Sequence, residues 1–534
     1  MKIHIDQVGY KPGSQKYAMI SSDEPFSTTV TLENIDDSTS VELTVSNAGK
    51  DPYSGDYLLT VDFSQVQTKG RYRLLCKDCE PSPVFEIGDH VYANATRDLF
   101  RMFYFMRCGC SLLEKHAGVY KHSCCHSGRV LRYTDGVMLP PIIGGWHDAG
   151  DYGRYTSPGA VAAAHLMYAY ELFPTKCPSL SIPESGNGTP DVLNECRYEL
   201  EWLLKMQFED GSASHKLTSE RHAGFMMPEE DKSQFVLYMT STMATADFAA
   251  VMALGARLFR RFDASFADRM QSAALRARDY LYSHPEMIGF TNPPGCGTGG
   301  YGDRSDTDER MWAFAEIYRL TKDARDLEML TSLASVESGK TCLGWGQVGG
   351  LAGLCILFAP TDTFPEELCL SFRRAFLVQA DRLRTIARSN SFRLAMPLDA
   401  FGWGSNMVVM DHAATLIVAT LLSGKAEYAS LAEDNVHYLL GRNPLDRSYI
   451  TGHGSNPFKN PHNRPTASDG IDEPFPGLVS GGPNAHLMDA ACRELIAEGT
   501  PPLRCHADVV GSYSTNEIAI YWNSITALVF AYFS

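Results

Sequence analysis

The stretch VFEIGDHVYANATRDLFRMFYFMR, residues 84–107, holds the change on which the fold turns. Up to Ile87 apolar and polar side chains alternate, the period of a strand with one buried face. From Arg97 to Arg107 apolar residues recur at i, i+3 and i+4, the period of a helix. On the N-terminal side, Lys2–Gln7, Tyr17–Ile20, Thr28–Leu32, Val41–Val45, Tyr57–Phe63, Tyr72–Cys76 and Val84–Ile87 alternate in part and are separated by turn residues. Residues 1–88 therefore predict a small β-sandwich. On the C-terminal side, Pro158–Leu172, Pro190–Gln207, Thr242–Phe262, Ser265–Ser283, Asp308–Thr321, Phe372–Ala387, Asn406–Leu422, Ala426–Leu440 and Asn516–Phe533 carry helical apolar stripes. Residues 89–534 thus predict one all-α domain, and helix pairs wound into a toroid satisfy the pattern. The long Gly/Pro/Asn-rich segments 134–159, 292–308 and 452–484 read as functional loops.

Composition excludes several classes. The 534 residues are 44% hydrophobic and 21% charged, as in a folded protein with a large core, not a disordered chain or a coiled coil. The net charge of −16 argues against nucleic-acid partners and a polybasic membrane surface. No uninterrupted apolar run reaches the roughly 18 residues of a membrane helix, since Asn523 and Ser524 break Ile518–Phe533. Fourteen cysteines spread along the chain, mostly in apolar stretches, suit a reducing compartment. Met1–Gln7 contains no signal-peptide core, so the expected location is cytoplasmic. A chain whose export signal had been removed would read the same way.

Four constellations carry chemistry. Gly144-Gly145-Trp146-His147-Asp148-Ala149-Gly150-Asp151-Tyr152-Gly153 sets two carboxylates three residues apart among glycines. Such a pair can position a water, although a simple Asp-Gly turn fits the spacing too. Cys108, Cys125, His126 and His147 form a donor set for a closed tetrahedral zinc, with Cys110 and Cys124 as competing ligands. Buried thiols beside a polar histidine are the alternative. The pair Cys76 and Cys79 reads as incidental. Ser514-Thr515-Asn516-Glu517 matches a capping box that would put Glu517 at the head of an apolar core helix. An apolar wall there would keep it protonated as a general acid. Asn460-Pro461-His462-Asn463-Arg464-Pro465 reads as a stiff extended loop presenting His462 and Arg464 on one side.

Together these segments resemble glycoside hydrolase family 9, in the branch with an N-terminal immunoglobulin-like domain. The likeness rests on GGWHDAGDYGRY at 144–155, ESGNGTPDVLNECRYELEWLLKMQ at 184–207 and YGDRSDTDERMWAFAE at 301–316. FGWGSNMVVM at 401–410, GRNPLDRSYITGHGSNPFKNPHNRP at 441–465 and YSTNEIAIYWNS at 513–524 complete it. The resemblance implies an immunoglobulin-like sandwich over 1–88, an (α/α)6 barrel over 89–534, and inverting hydrolysis of β-1,4-linked glucans. By position it implies Asp151 as general base, Asp148 as a second holder of the water, and Glu517 as general acid. It makes His462 and Arg464 substrate-binding, with Trp403 and Tyr513 as stacking surfaces for sugar rings. It also implies structural zinc on Cys108, Cys125, His126 and His147. Calcium is allowed without named ligands, because Asn194-Glu195-Cys196-Arg197 replaces the Asp-Glu-Ala-Arg frequent in relatives.

The expectation is a glucanase acting on cello-oligosaccharides or soluble β-glucan. Its partner is an oligosaccharide, with no nucleic acid and no membrane; the oligomeric state is unknown. An exo-β-glucosaminidase on chitosan oligosaccharides is the alternative enzyme. A catalytically silent sugar-binding protein is the non-enzymatic one.

Overall fold

The computed structural model describes all 534 residues. Nine strands build the N-terminal part: β1 (Lys2–His4), β2 (Gly9–Tyr10), β3 (Tyr17–Ser22), β4 (Val30–Asn34), β5 (Ser40–Leu43), β6 (Val45–Lys50), β7 (Tyr57–Asp62), β8 (Gly70–Cys76) and β9 (Phe85–Ile87). One sheet runs β1-β3-β7-β6 and the other β2-β9-β8-β4-β5. Alternation does what the sequence promises: Val30 and Leu32 are buried while Thr31 and Glu33 lie partly open. Ile20, Val61, Leu74 and Phe85 belong to a core separate from that of the helices. The strand expected at Val41–Val45 is broken at Thr44, because the chain there leaves one sheet for the other. Cys76 and Cys79, read as incidental, are joined as a disulfide closing the turn after β8.

Twelve helices of nine residues or more follow: α1 (Ala93–Phe105), α2 (Thr156–Leu172), α3 (Asp191–Leu203), α4 (Thr242–Phe259), α5 (Ala264–Ser283), α6 (Thr307–Thr321), α7 (Ala324–Val336), α8 (Gly349–Leu357), α9 (Glu366–Arg388), α10 (Ser405–Ser423), α11 (Ala426–Leu439) and α12 (Ile520–Phe533). They alternate between two layers. The even-numbered helices form an inner ring in which α2 packs on α4, α4 on α6, α6 on α8, α10 on α12 and α12 on α2. Outer helix α9 packs on both α8 and α10 and closes the gap between them. The result is the expected (α/α)6 barrel.

Hydrophobic pattern decides the layer. In α9 the buried residues are Leu368, Phe372, Phe376, Ala380, Leu383 and Ala387, one stripe at spacings of four and three. That helix has one wet face and belongs outside. In α4 sixteen of eighteen residues are buried, so no stripe exists and only the inner ring can hold it. The sequence reading assigned stripes to all helices; the inner ones are apolar all round. By length and composition alone α4 and α10 could cross a membrane, but here they are inner-ring core. The reading also missed α7 and α8. Helix α8 begins Gly-Gly-Leu-Ala-Gly, a poor helix former. A Cβ on Gly353 would meet the Phe376 ring at 2.7 Å, so packing rather than propensity demands that glycine.

Segments expected as loops also contain structure. Val130–Arg132, Met138–Leu139, Arg154–Tyr155, Lys216–Ser219 and Phe235–Leu237 form a second five-stranded sheet. It seats Arg154–Tyr155 directly behind the acidic loop.

The two cores are joined by buried polar contacts. Asp6 Oδ2 lies 2.8 Å from His437 Nδ1. Gln7 is buried, donating through Nε2 to the Asp446 carbonyl at 2.9 Å and accepting the Asn456 N–H at 2.8 Å. Removing one partner of such a bond leaves the other unsatisfied away from water. Gln7→Ala should therefore cost about 1–3 kcal/mol, seen as a lower midpoint of denaturant-induced unfolding with the fold unchanged.

Candidate active site

A cavity of about 380 Å³ opens at one end of the barrel. Asp148, Asp151, Glu517 and Trp403 line it, four of the residues singled out in the sequence. Backbone hydrogen bonds knit the segments that carry them. The Ile520 N–H donates to the Asp148 carbonyl at 2.8 Å, and the His462 N–H to the Asn516 carbonyl at 2.8 Å. The Arg464 N–H donates to the Gly150 carbonyl at 3.1 Å, and the Gly481 N–H to the Glu517 carbonyl at 2.8 Å. Positions 366 residues apart in sequence (517 − 151) thus meet through main-chain geometry.

Glu517 is not at the head of a core helix. A short helix, Tyr513–Asn516, ends before it, and α12 begins only at Ile520. Glu517 sits in the extended link, with φ −67° and ψ 159°, and bridges in parallel to His462. The link is extended because its backbone is spent on residues 148, 462 and 481 rather than on a helix.

The three carboxyls hold their protons differently. Burial pushes Asp151 upward, but the His222 side chain, the charge of Arg464 and the Gly153 N–H outweigh it, leaving Asp151 at about 2. Burial, with the charges of Asp151 and Asp148 added, drives Glu517 well above the carboxylate range. Asp148 is driven well above it too, by burial and then by Asp151, against a hydrogen bond from the Tyr301 hydroxyl. Its second oxygen, Oδ1, is buried without a protein partner. A nucleophile-activating base and a proton donor therefore share one cavity.

The remaining candidates divide. Trp403 is 45% exposed, and its ring lies 5.2 Å from that of Tyr513, which in turn lies 6.0 Å from His462. Tyr513 and His462 continue this aromatic row beyond the cavity lining. Arg464 does not reach the cavity wall. The segment is not extended through it: a short helix starts at Arg464, capped by Asn463. The guanidinium donates through Nε to the Ala223 carbonyl at 2.8 Å and through Nη1 to the Gly150 carbonyl at 2.6 Å.

Tyr155, His222, Tyr301, Trp345, Tyr521 and Trp522 also line the cavity, and sequence reasoning gave none of them a role. Tyr301 opened a quoted motif, so a signal existed. Tyr521 and Trp522 fall within the apolar stripe expected over Asn516–Phe533, which their burial also satisfies. His222 stands in a loop without any pattern.

Behind the acidic loop, the donor atoms of Cys108, Cys125, His126 and His147 all lie within 4.8 Å of one another. His147 Nε2 is 3.2 Å from His126 Nδ1, and Cys108 Sγ is 3.5 Å from the same nitrogen. A tetrahedron with bonds of about 2.0–2.3 Å has edges of about 3.3–3.8 Å, so the donor set fits a metal ion. His126 has a positive φ of 46°, letting it and Cys125 turn to one point. Its Nε2 lies 3.3 Å from Asp231 Oδ2, which leaves Nδ1 as the ligand atom. Cys110 and Cys124 stand outside the set. At the position considered for calcium, Glu195 is paired with Arg107 at 2.9 Å and Asn194 with Asn187 and the Thr189 carbonyl. Both side chains are spent on protein partners.

Comparison with known proteins agrees with this geometry. Residues 92–530 match glycosyl hydrolase family 9, and residues 1–81 the cellulase N-terminal ig-like domain. A cellodextrinase of Butyrivibrio fibrisolvens is 40% identical over 91% of each chain. A solved enzyme in complex with cellobiose-like isofagomine superposes with TM-score 0.90 at 32% identity, covering 100% of this chain and 99% of the other. A zinc-binding triple mutant of a family 9 endoglucanase superposes with TM-score 0.91 at 32% identity, covering 98% and 99%.

The knit predicts its own weak point. A Cβ on Gly150 would lie 2.0 Å from the His462 carbonyl oxygen. Gly150→Ala should force the two segments apart and lower kcat on the order of 100-fold, with the circular dichroism spectrum unchanged.

Proposed function

The chain belongs to glycosyl hydrolase family 9, and on that premise we propose that it is an inverting β-1,4-glucanase acting on cello-oligosaccharides or soluble β-glucan. One observation carries the reading: three carboxyls face one cavity with proton affinities driven apart. Glu517, held protonated, gives its proton to the glycosidic oxygen as the bond to the anomeric carbon breaks. Asp151, held ionised, takes a proton from water attacking that carbon from the opposite face. Asp148, whose Oδ2 accepts the Tyr301 hydroxyl, stands beside Asp151 as the second holder of that water. The product leaves with inverted configuration, Asp151 carries the proton, Glu517 is ionised, and exchange with solvent resets both. Trp403, Tyr513 and His462 form the row on which neighbouring sugar rings stack. Arg464 supports the site from behind by fixing Gly150.

For the group Cys108, Cys125, His126 and His147 we propose structural zinc. Four protein ligands leave no open position, so bound zinc would cross-link rather than catalyse. His147 precedes Asp148, and its N–H donates to the Met106 carbonyl at 2.7 Å, so this group anchors the acidic loop. The division into 1–88 and 89–534 is supported by the separate strand core and the start of α1 at Ala93. A cytoplasmic, reducing location is supported by twelve free cysteines, set against one bonded pair.

Glu517→Gln should remove nearly all turnover of cellopentaose while binding persists. Asp151→Asn should do the same, and Asp148→Asn should leave a residue of activity. In the wild type, activity is lost as pH rises through the raised Glu517 value and as it falls toward the Asp151 value near 2. A substrate with a good phenolate leaving group needs no acid, so its alkaline limb should flatten. Wild-type kcat in Glu517→Gln would reduce that residue to a structural role.

Metal analysis of purified protein should find one zinc per chain, absent in Cys125→Ser. Chelation should lower the melting temperature, since a structural zinc contributes several kcal/mol of folding free energy. A zinc-free sample with unchanged melting would overturn the zinc reading.

A further inference from the structure

Between the strands ending at Ser219 and starting at Phe235 runs an arm with no helix or strand of its own, which borders the cavity at His222. It carries Phe225, an exposed ring 5.3 Å from that of His462 at the far end of the aromatic row. Such an arm takes its place from side-chain contacts. From Met226 onward those contacts run to the segments that bear the cysteine–histidine group.

The last of them is buried. Asp231 is 8% exposed, and its Oδ1 accepts the Ser233 N–H at 2.9 Å. That turn leaves Oδ2 facing His126 Nε2 at 3.3 Å. Two residues earlier, Glu229 accepts the Ser123 N–H through Oε1 at 3.3 Å. The Tyr152 hydroxyl donates to the Met226 carbonyl, and the Tyr152 ring lies 5.1 Å from that of His126 and 4.9 Å from that of His147. The arm therefore docks on residues 122–126 and 147–152, the two stretches that supply Cys125, His126 and His147.

We propose that Asp231 is a positioning residue that couples the cysteine–histidine group to the mouth of the cavity: one carboxylate oxygen orients His126 for the metal and thereby holds residues 220–231 in place. The inference rests on the zinc reading of that group. With Nδ1 turned to a metal, the imidazole keeps its proton on Nε2, and a cation on the other nitrogen makes that N–H a stronger donor to a carboxylate. Coupling of this kind is reciprocal, so whatever order the arm gains from the metal, the metal gains in affinity from the arm. The group then serves two loops at once, the acidic loop through His147 and the arm through His126. Because the arm borders the cavity and ends the aromatic row, loosening it should show in substrate binding before it shows in turnover.

The test uses the full chain as wild type, Asp231→Ala and Asp231→Asn. Zinc affinity is read by competition with a chromophoric chelator, and order in the arm by hydrogen exchange, below the melting temperature of the chelated form. Asp231→Ala should bind zinc about 10–100-fold more weakly. Its amides over 220–231 should exchange faster while those of the inner helices do not. Chelating the wild type should loosen the same amides, and chelating the Ala variant should loosen them no further. Asp231→Asn keeps an acceptor oxygen without the charge and should lie between. On cellopentaose, KM should rise more than kcat falls. Wild-type zinc affinity in Asp231→Ala, or an arm whose exchange chelation leaves unchanged, would overturn the proposal; a role confined to folding lowers the melting temperature without moving either reading. If the Ala variant does not fold, the chelated wild type and the Asn variant decide by the same two readings. A wild type that takes up no zinc would instead refute the zinc reading itself.

Discussion

The site depends on a main-chain junction: the carbonyls of Asp148, Gly150 and Asn516 receive N–H groups of Ile520, Arg464 and His462. These bonds join three segments that meet in no common helix and share only the bridge between His462 and Glu517. Because the main chain is the partner, side-chain substitution elsewhere cannot easily loosen it. Gly150 is the point of closest approach, where the absence of a Cβ lets the acidic loop touch the His462 carbonyl. The extended shape of the Glu517 link follows from the same bonds.

Fixing the backbone in this way makes electrostatics decisive. Buried carboxyls cannot share charge freely in a medium of low polarity, and each added negative charge raises the others. Asp151 takes the ionised role because cations and N–H groups gather around it; Glu517 has fewer and keeps its proton. The chemistry is thus a distribution of donors around equivalent side chains.

The barrel supplies the rigidity. Inner helices buried on all sides leave their connecting loops at the ring's mouth, where the second sheet and the cysteine–histidine group stiffen the acidic loop. The strand domain adds buried polar contacts at Asp6 and Gln7, so the region near 437–456 is held from outside as well.

Much of this was legible in the chain. The change of period between Ile87 and Arg97 separated the sandwich from the helices, and the acidic loop, Glu517 and the cysteine–histidine group stood out by residue type and spacing. Those features are local or carried by ordered motifs. The layer of each helix was not read, because an inner helix replaces a stripe with uniform apolarity; nor was α8, whose glycines are set by packing. His222 and Arg464 show the deeper limit. A histidine in an unpatterned loop gains meaning only from the aspartate opposite it, and an arginine expected to bind sugar also braces two carbonyls. The sequence by itself determined which groups could do chemistry and which period each segment would follow. Only the tertiary structure decided which oxygen is free, which carboxyl keeps its proton and which way each side chain faces, because those properties belong to distances between segments remote in the chain.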